Sequence, residues 1–314
     1  MNLIDAYRYL AALEQHRHFG RAAAACHITQ PALSNALRSL EEHLDVAIVR
    51  RGRQYEGLTA EGERVLASAH RVLREQEALR QELAGSVEQP RGGLVIGAVP
   101  TAVPIAARFA ARLIERHPGL CPQVRSLSSQ EIETGLDTLA IDIGLGYTER
   151  RHPGPQTWPQ YIEHYYVLRR AKREAAPFRF GPAMPWADAA KQPLCMLSPE
   201  MHNRLILDRV FSGLDLQVQP VVETNSVMAL LVAVQGSKDL AAVLPGAVVA
   251  TMAGHRGIEA LPLVEPELRT PIGFMSAGAN TARRSRALEA ALRLAADADW
   301  LAYASAHSGP LRPA

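Results

Sequence analysis

The spacing of apolar residues changes character at about residue 90. Before that point, apolar residues recur every three or four positions, which predicts amphipathic helices. After Leu94, short apolar runs alternate with stretches of helical spacing, and this order predicts a parallel α/β sheet. The pattern therefore divides the 314-residue chain into a helical N-terminal part and a longer α/β part.

Two short helices joined by a tight turn are predicted between Phe19 and Leu44. The first, at about residues 21–26, is almost entirely alanine, and such small side chains allow close approach to a neighbouring helix. In the second, leucines form one face and polar residues form the other. The leucines are Leu33, Leu37, Leu40 and Leu44. This pattern is typical of a helix-turn-helix, whose second helix enters the DNA major groove. The candidates for DNA contact are Gln30, Pro31, Ser34, Asn35 and Arg38.

The segments on either side complete a predicted DNA-binding domain. Residues 3–15 form a supporting amphipathic helix, and residues 46–58 alternate in polarity between glycine turn points, which predicts a two-stranded wing. A run of arginines is more often a solvated surface. Beside a helix-turn-helix, however, it is well placed to bind phosphates. The arginines expected to do so are Arg50, Arg51 and Arg53.

A long helix is predicted next, capped by Thr59 and continuing to about Glu88. At 1.5 Å per residue it would extend ~45 Å. The residues on one face of this helix recur at alternating spacings of four and three positions, as in the seam of a coiled coil. The stripe consists of Val65, Ala69, Val72, Gln76, Leu79 and Leu83. The helix either packs on its own domain or pairs with a second copy. We favour pairing, because no helix of comparable length precedes it.

The α/β part begins with a predicted strand–helix–strand–helix–strand unit between Leu94 and Leu145, followed by a Pro/Gly-rich loop at 152–159. Later predicted strands are 161–169, 193–197, 218–223, 240–244 and 270–276, and later predicted helices are 199–211, 226–235 and 282–296. In open α/β sheets, ligands bind beyond the carboxyl ends of the strands. The starts of the helices that follow strands are therefore candidate ligand sites.

Hydroxyl and amide groups stand at several of these helix starts, where free backbone N–H groups also attract anions. The candidate ligand-binding residues are Pro100, Thr101, Ser128, Ser129, Asn203, Thr224, Asn225 and Ser226, with Arg204 beside Asn203. Each hydroxyl is equally suited to be an ordinary N-cap, and Arg204 to be a surface residue. The shared position at strand ends favours a cleft. Because only 5% of residues are aromatic, we expect a small organic acid or other anion.

Composition narrows the alternatives. The net charge is only +2, so the evidence for binding to nucleic acid is confined to the local cluster of arginines.

Three widely separated cysteines, Cys26, Cys121 and Cys195, predict a reducing cytoplasm rather than a disulfide framework or metal site. A redox role for Cys195 lacks a second cysteine nearby in sequence. The chain has no secretion signal, no apolar run of membrane-spanning length and no catalytic motif. We therefore expect a cytoplasmic protein without enzymatic activity, metal or cofactor.

The helix-turn-helix segment resembles that of the LysR-type bacterial transcriptional regulators. The resemblance is carried by Phe19, Ala22, Ala23, Gln30, Pro31, Ala32, Leu33, Ser34, Leu37, Leu40 and Glu41, and it continues through residues 58–62 into the C-terminal half. Gly20 replaces the usual Ser or Thr as an acceptable N-cap, and Cys26 replaces the usual Leu. A changed, more polar turn at 235–239 precedes the Leu244–Pro245 end of a predicted strand.

This resemblance implies an α/β fold with an all-α-rich N-terminal part. It would comprise a winged helix-turn-helix (1–58), a long linker helix that pairs two subunits (59–89) and a two-lobed, periplasmic-binding-protein-like effector domain (90–314). Lobe I would cover about 90–162 and 269–314, and lobe II about 163–268, with crossings near 161–169 and 266–271. The implied function is sequence-specific transcriptional regulation, controlled by a small-molecule effector between the lobes. The implied partners are operator DNA, further copies of the chain in a dimer and then a tetramer, and RNA polymerase.

Two other classes of protein compete with this interpretation. An α/β ligand-binding protein or enzyme with a fused helical arm would show no sequence-specific DNA binding. A DNA-architectural protein would not need the α/β domain that follows Leu94.

Overall fold

The computed structural model describes residues 2–50, 52, 55–83, 90–149, 156–172, 176–277 and 284–309. The chain forms two compact units. The first consists of Met1–Gln89 together with the short pieces Gly135–Ala140 and Ala279–Arg286, and the second contains the remaining residues.

The first unit is helical, as its apolar spacing predicts. Its helices are α1 (Leu3–His16), α2 (Phe19–Ala25), α3 (Gln30–Leu44) and α4 (Ala60–Leu83). The prediction that Gly20 caps the helix before the turn is wrong, because Gly20 lies inside α2. The cap is His18, whose Nδ1 accepts hydrogen bonds from the backbone N–H groups of Gly20 (3.1 Å) and Arg21 (3.3 Å). An imidazole nitrogen thus supplies the acceptor that a Ser or Thr hydroxyl usually provides.

The core of the first unit joins all four helices. Leu10, Leu13, Leu33 and Leu40 are completely inaccessible to solvent, and Ala22 is buried with them. Burying a leucine side chain contributes about 1.5–3 kcal/mol, so the inward face of α3 is a major source of the unit's stability. The alanines of α2 allow it to pack closely on its neighbours, as their small size predicts.

The segment after α3 is held to the helices at both ends. The carboxylate of Glu41 accepts hydrogen bonds from the backbone N–H groups of Ile48 (2.7 Å) and Val49 (3.1 Å). A Cβ on Gly62, in the first turn of α4, would lie 2.1 Å from the carbonyl oxygen of Ile48, so only glycine fits this contact. In place of two predicted strands, the described residues of this segment form one antiparallel bridge, between Val49 and Leu58.

The prediction of one continuous pairing seam along α4 is wrong for Val65, Ala69 and Gln76. Ala69 is buried, and Val65 packs against the core of the same unit. Gln76 accepts a hydrogen bond from Arg8 of α1 (3.1 Å). Helix α1 therefore supplies an intrachain partner for these residues. Val72 and Leu79 lie elsewhere on α4 and are 36% and 49% exposed. The side chain of Leu83 lies outside the described residues.

The second unit contains two sheets. The strands of the first sheet are β1 (Gly92–Ala98), β2 (Leu120–Ser126), β3 (Ile143–Tyr147), β4 (Gln156–Glu163) and β12 (Thr270–Ser276). Within the described residues its order is β2-β1-β3-β12-β4. Strand β1 runs parallel to β2 and β3, whereas β12 is antiparallel to β3 and β4. The helices nearest to these strands in the chain are α5 (Val103–Arg116), α6 (Ser129–Asp137), α11 (Arg286–Ala295) and α12 (Ala298–Ser308).

The second sheet is assembled from the middle of the chain. Its strands are β5 (Tyr165–Arg170), β6 (Arg179–Phe180), β7 (Met184–Pro185), β8 (Leu194–Leu197), β9 (Val222–Thr224), β10 (Ala241–Pro245) and β11 (Ile258–Val264). The order is β6-β11-β5-β10-β8-β9, with β7 also paired to β11. The accompanying helices are α7 (Trp186–Ala189), α8 (His202–Gly213), α9 (Val227–Gly236) and α10 (Gly246–Val249).

The chain crosses between the two sheets at His164 and again between Val264 and Thr270. The single strand predicted over 161–169 is wrong, because β4 and β5 belong to different sheets. The predicted loop is also wrong from Gln156 to Pro159, since these residues pair with β12. The sequence pattern did not predict strand β11, the short strands β6 and β7, or helices α7, α10 and α12.

Candidate DNA-binding face and effector site

The predicted base-reading residues lie on the outer side of α3. Gln30, Pro31, Asn35 and Arg38 are exposed and Ser34 is half-buried. Leu33, Leu37 and Leu40 are buried on the opposite side. Thr29 caps the helix by accepting a hydrogen bond from the Ala32 N–H (3.4 Å), and this cap was not among the residues selected from the sequence. The N-terminal half of α3 thus exposes most of its candidate base-reading side chains, as a groove-reading helix requires.

Of the three arginines predicted to bind phosphates, Arg50 is exposed in the segment between α3 and α4. Its backbone N–H donates to the carbonyl of Gly57 (3.0 Å), so its position is set by the backbone. Arg51 and Arg53 lie outside the described residues.

Five strand ends of the first sheet meet along one edge. Strands β1, β2 and β3 are parallel, so the residues that follow or end them, Thr101, Ser129 and Tyr147, share that edge. Strand β12 runs the opposite way and starts there with Thr270, which is directly opposite Glu163 at the end of β4. This edge is where ligands bind in open α/β sheets.

The second sheet brings its own side chains to the same place. The hydroxyl of Tyr165, at the start of β5, lies 3.4 Å from Glu163 Oε2 and 3.2 Å from Thr270 Oγ1. The ring of His202, at the start of α8, lies 4.7 Å from that of Tyr147, measured between centroids. Thr101 Oγ1 lies 3.2 Å from the hydroxyl of Tyr147. Both sheets therefore contribute to one buried polar cluster.

We define the interlobe cluster as the buried polar residues at this junction. They are Thr101, Ser129, Tyr147, Tyr161, Glu163, Tyr165, Asn203 and Thr270. Within the part of the chain that the structure describes, four of their side-chain atoms have no hydrogen-bond partner. These atoms are Ser129 Oγ, Tyr161 Oη, Glu163 Oε1 and Asn203 Nδ2. Buried polar atoms are nearly always paired, so this concentration of unpaired atoms indicates a place that accommodates other polar groups.

Only part of the predicted ligand set belongs to this cluster. Thr101, Ser129 and Asn203 do, and Pro100 is half-buried beside Thr101. Ser128 forms a capping box instead: its N–H donates to Glu131 (2.7 Å), and its Oγ accepts from the Glu131 N–H (3.2 Å).

The second-lobe hydroxyls also cap backbone groups. Thr224 accepts from the N–H of Ser226 (3.2 Å) and Ser226 from that of Ala229 (3.3 Å), while Asn225 is exposed between them. Ser128, Thr224 and Ser226 therefore accept hydrogen bonds from backbone N–H groups, as the alternative prediction of ordinary helix caps describes.

Arg204 is neither a surface residue nor a free anion contact. Its side chain is only 10% exposed and forms ion pairs with Asp208 (2.8 Å) and Glu223 (2.6 Å). It also donates to the carbonyl of Leu197 (2.9 Å). Arg204 therefore ties the start of α8 to the end of β8 and holds Asn203, the preceding residue, at the cluster.

The acid and the tyrosines of the cluster were not predicted from the sequence. Tyr161 and Glu163 are two residues apart on β4, so their side chains project from the same face of the strand. A charged residue within an apolar strand-like run was the available signal. Burial raises the pKa of Glu163 from 4.5 to about 8, and the hydrogen bond from Tyr165 acts weakly against this. Burial, followed by the charge of Glu163, raises the pKa of Tyr147, Tyr161 and Tyr165 above 10.

The three cysteines are free thiols that do not meet one another. Cys195 is inaccessible to solvent in β8, and its Sγ donates to the carbonyl of Ala241 (3.2 Å). Burial raises the pKa of both Cys195 and Cys26, and Cys121 is exposed. Among the described residues there is no metal-ligand cluster, and no helix in that part of the chain is long and apolar enough to cross a membrane.

The fold and these sites define a helix-turn-helix protein joined to a two-lobed α/β domain of the ligand-binding type. Two family models match the chain. One describes a bacterial regulatory helix-turn-helix protein of the lysR family and matches residues 4–63. The other describes the LysR substrate binding domain and matches residues 88–299. The chain therefore belongs to the LysR family. It is a DNA-binding transcriptional regulator with an effector-binding domain, and not an enzyme.

Individual relatives agree with this assignment. The DNA-binding transcriptional dual regulator OxyR of Escherichia coli K12 is 27% identical over 281 residues, which cover 88% of this chain and 89% of OxyR. A full-length OxyR variant from Pseudomonas aeruginosa has a similar structure, with a TM-score of 0.65, 24% identity and coverage of 92% and 96% of the two chains. CbnR in complex with its target DNA has a TM-score of 0.64 at 18% identity, with coverage of 96% and 99%.

Proposed function

We propose that α3 reads operator bases while the segment around Arg50 binds the adjacent phosphates. The observation that carries this proposal is the polar outer face of α3, which combines exposed Gln30, Asn35 and Arg38 with a fully buried inner face. Arginine pairs with guanine, and glutamine and asparagine pair with adenine, through two hydrogen bonds each in the major groove. The likeness of fold to CbnR in complex with its target DNA supports the proposal.

Selection of bound fragments from genomic DNA, followed by footprinting, tests this function. We expect a small number of fragments to be protected at the same sequence, with affinity well above that for random DNA of equal length. Protection without sequence preference would favour an architectural role instead. Because the target is chromosomal, we propose that the protein acts in the cytoplasm and influences RNA polymerase at the neighbouring promoter.

We further propose that the regulator is a homo-oligomer, with a dimer formed through α4 and a tetramer built from two dimers. Val72 and Leu79 are seven residues apart on α4, so they share a face, and both are exposed in the single chain. A second copy would remove this apolar surface from water. Two paired helix-turn-helix domains would then bind two operator half-sites, as dimeric regulators do.

The effector is proposed to be a small polar molecule held at the interlobe cluster. The support is the set of four unpaired buried atoms, contributed by β4 and by the starts of α6 and α8. A ligand that pairs with these atoms from both lobes would stabilise one relative arrangement of the lobes over others. The small organic acid expected from the sequence would use Thr101, Ser129 and Asn203, whose hydroxyl and amide groups can donate to its oxygens.

Peroxide sensing is the competing function, because several relatives are named hydrogen peroxide-inducible genes activators. A sensing thiol is normally exposed and has a lowered pKa. Cys195 is fully buried, and its pKa is raised. None of the residues that define the interlobe cluster is a cysteine. We therefore propose that this chain responds to its effector without cysteine oxidation.

Titration with hydrogen peroxide tests this choice. We expect operator affinity to be unchanged within twofold at peroxide concentrations that leave the fold intact, both for the wild type and for Cys195→Ala. Cys121→Ser serves as the control for oxidation of the exposed thiol. A peroxide response that disappears in Cys195→Ala would establish the competing function.

A further inference from the structure

Glu163 is the acidic member of the interlobe cluster, and its buried carboxyl group has few hydrogen-bond partners. Its side chain is inaccessible to solvent, Oε2 has one long contact with Tyr165, and Oε1 has no partner. A carboxylate buried without a counter-charge is strongly disfavoured. Among the described residues, no cation is near enough to lower the pKa of Glu163. The arginine at the start of α8, Arg204, is already paired with Asp208 and Glu223.

Three tyrosine side chains lie near this carboxyl group. Tyr165 contacts it directly, and Tyr161 and Tyr147 are close enough for its charge to raise their pKa values. Proteins bind organic cations with a carboxylate that supplies the counter-charge and with aromatic side chains that attract the cation electrostatically, and this cluster contains both kinds of group.

We propose that the effector carries a protonated amine, which donates to Glu163 Oε1 and lies against the tyrosine rings. This inference rests on the proposed function, in which the effector occupies the interlobe cluster. Asn203 Nδ2 and Ser129 Oγ remain to donate to an oxygen elsewhere in the same ligand. An amine that also bears a carboxylate therefore satisfies the cluster more completely than a simple acid, which would leave Glu163 unpaired.

Binding of such a ligand releases a proton. At pH 7 the free protein holds Glu163 mostly protonated, since burial raises its pKa to about 8. A bound ammonium group stabilises the carboxylate, so the carboxyl proton leaves to solvent while the ammonium keeps its own. Tyr147, Tyr161 and Tyr165 face Glu163, and their raised pKa values keep them neutral at this pH. The ring of His202, on α8, lies against that of Tyr147.

Matched ligands separate this proposal from the alternatives. One matched set of probes is 4-aminobutyrate, butylamine and butyrate, and a shorter set is alanine, ethylamine and propionate. A library of primary amines is tested beside them. Binding of each compound to the full-length protein is measured by thermal stabilisation and calorimetry. We expect amine-bearing probes to bind the wild type and to lose at least tenfold in affinity in Glu163→Gln. We also expect close to one proton released per bound amine at pH 7, measured in buffers of different ionisation enthalpy. Glu115→Gln, an exposed position on α5, should behave as the wild type.

The outcomes are distinguishable. If an acid without an amine binds, and its affinity depends on Thr101 but not on Glu163, the cluster is the effector site and the amine inference is wrong. If bound ligands are insensitive to both positions, the proposed site itself is wrong. If no amine in the library stabilises the wild type more than Glu163→Gln, ordered water completes the cluster and the inference is overturned. Tyr161→Phe offers a second variant, expected to weaken amine binding less than Glu163→Gln while leaving proton release intact.

Discussion

Arg38 and Gln30 occupy exposed positions two helical turns apart on α3, and neither contributes to the leucine face beneath. Their side chains are therefore available to DNA without a cost in folding. The consequences of changing them should appear in binding alone, which distinguishes a recognition residue from a structural one.

Replacement of Arg38 or Gln30 by alanine should weaken operator binding by about 1–3 kcal/mol, the value of one good bidentate base contact. Gel-shift titration measures the effect, and circular dichroism should show unchanged folding. Arg209→Ala removes the same charge from an exposed position on α8 and should leave affinity unaltered. Wild-type affinity in both α3 variants would contradict the assignment of the recognition face.

Glu163 should give the stability of the second unit a pH dependence opposite to that of a paired acid. Because its pKa rises from 4.5 to about 8 on folding, the folded state binds more protons than the unfolded state between those values. Stability is then greatest at low pH and is lost as pH rises through 8. The decline attributable to Glu163 should be about 3 kcal/mol between pH 5.5 and 8.

Denaturant unfolding of wild type and Glu163→Gln across this range measures the difference. The variant should show a flatter profile, because glutamine does not titrate, and Glu115→Gln should keep the wild-type slope. Parallel profiles for wild type and Glu163→Gln would mean that Glu163 keeps an ordinary pKa in the folded protein.

At the scale of elements, α4 has two faces with different roles. The face containing Ala69 packs on α1, and its burial belongs to the fold of the single chain. The face containing Val72 and Leu79 is exposed. A periodic stripe along a sequence does not state whether its partner lies in the same chain, since both kinds of packing use the same spacing.

The double substitution Val72→Glu and Leu79→Glu should dissociate the oligomer, because a carboxylate buried in an apolar seam is strongly disfavoured. Light scattering and sedimentation measure the assembly. Val72→Ile with Leu79→Met keeps the seam apolar and should preserve it. An oligomer that survives the glutamates would exclude α4 as the main interface.

At the scale of the whole molecule, regulation requires that one site affects another. Effector binding and operator binding must alter each other by the same factor, because the coupling free energy is shared. The two functions nevertheless use different residues, so variants in one unit should leave the intrinsic affinity of the other unchanged.

Thr101→Val and Ser129→Ala should each weaken effector binding by about fivefold to a hundredfold, equivalent to the loss of one hydrogen bond to a buried group. Operator affinity without effector should stay at the wild-type value. Calorimetry with the best-binding probe and gel shift together provide the test, with Thr251→Val as a control hydroxyl near α10, outside the interlobe cluster. Loss of DNA binding in either cluster variant would indicate a structural role for that hydroxyl.

The sequence by itself determined the helix-turn-helix, the outward position of the candidate base-reading residues on α3 and the alternation of strands and helices after Leu94, because each depends on residues only a few positions apart. It also indicated the strand ends where Thr101 and Ser129 lie. The tertiary structure decided which polar groups meet. Tyr147 and Glu163 end the strands on either side of β12, and Thr270, from far along the chain, lies between them only through sheet order and strand direction. Likewise, only packing against α1 separated the buried face of α4 from its exposed one. Local spacing sets the face of an element, but its partner is chosen by contacts between distant segments.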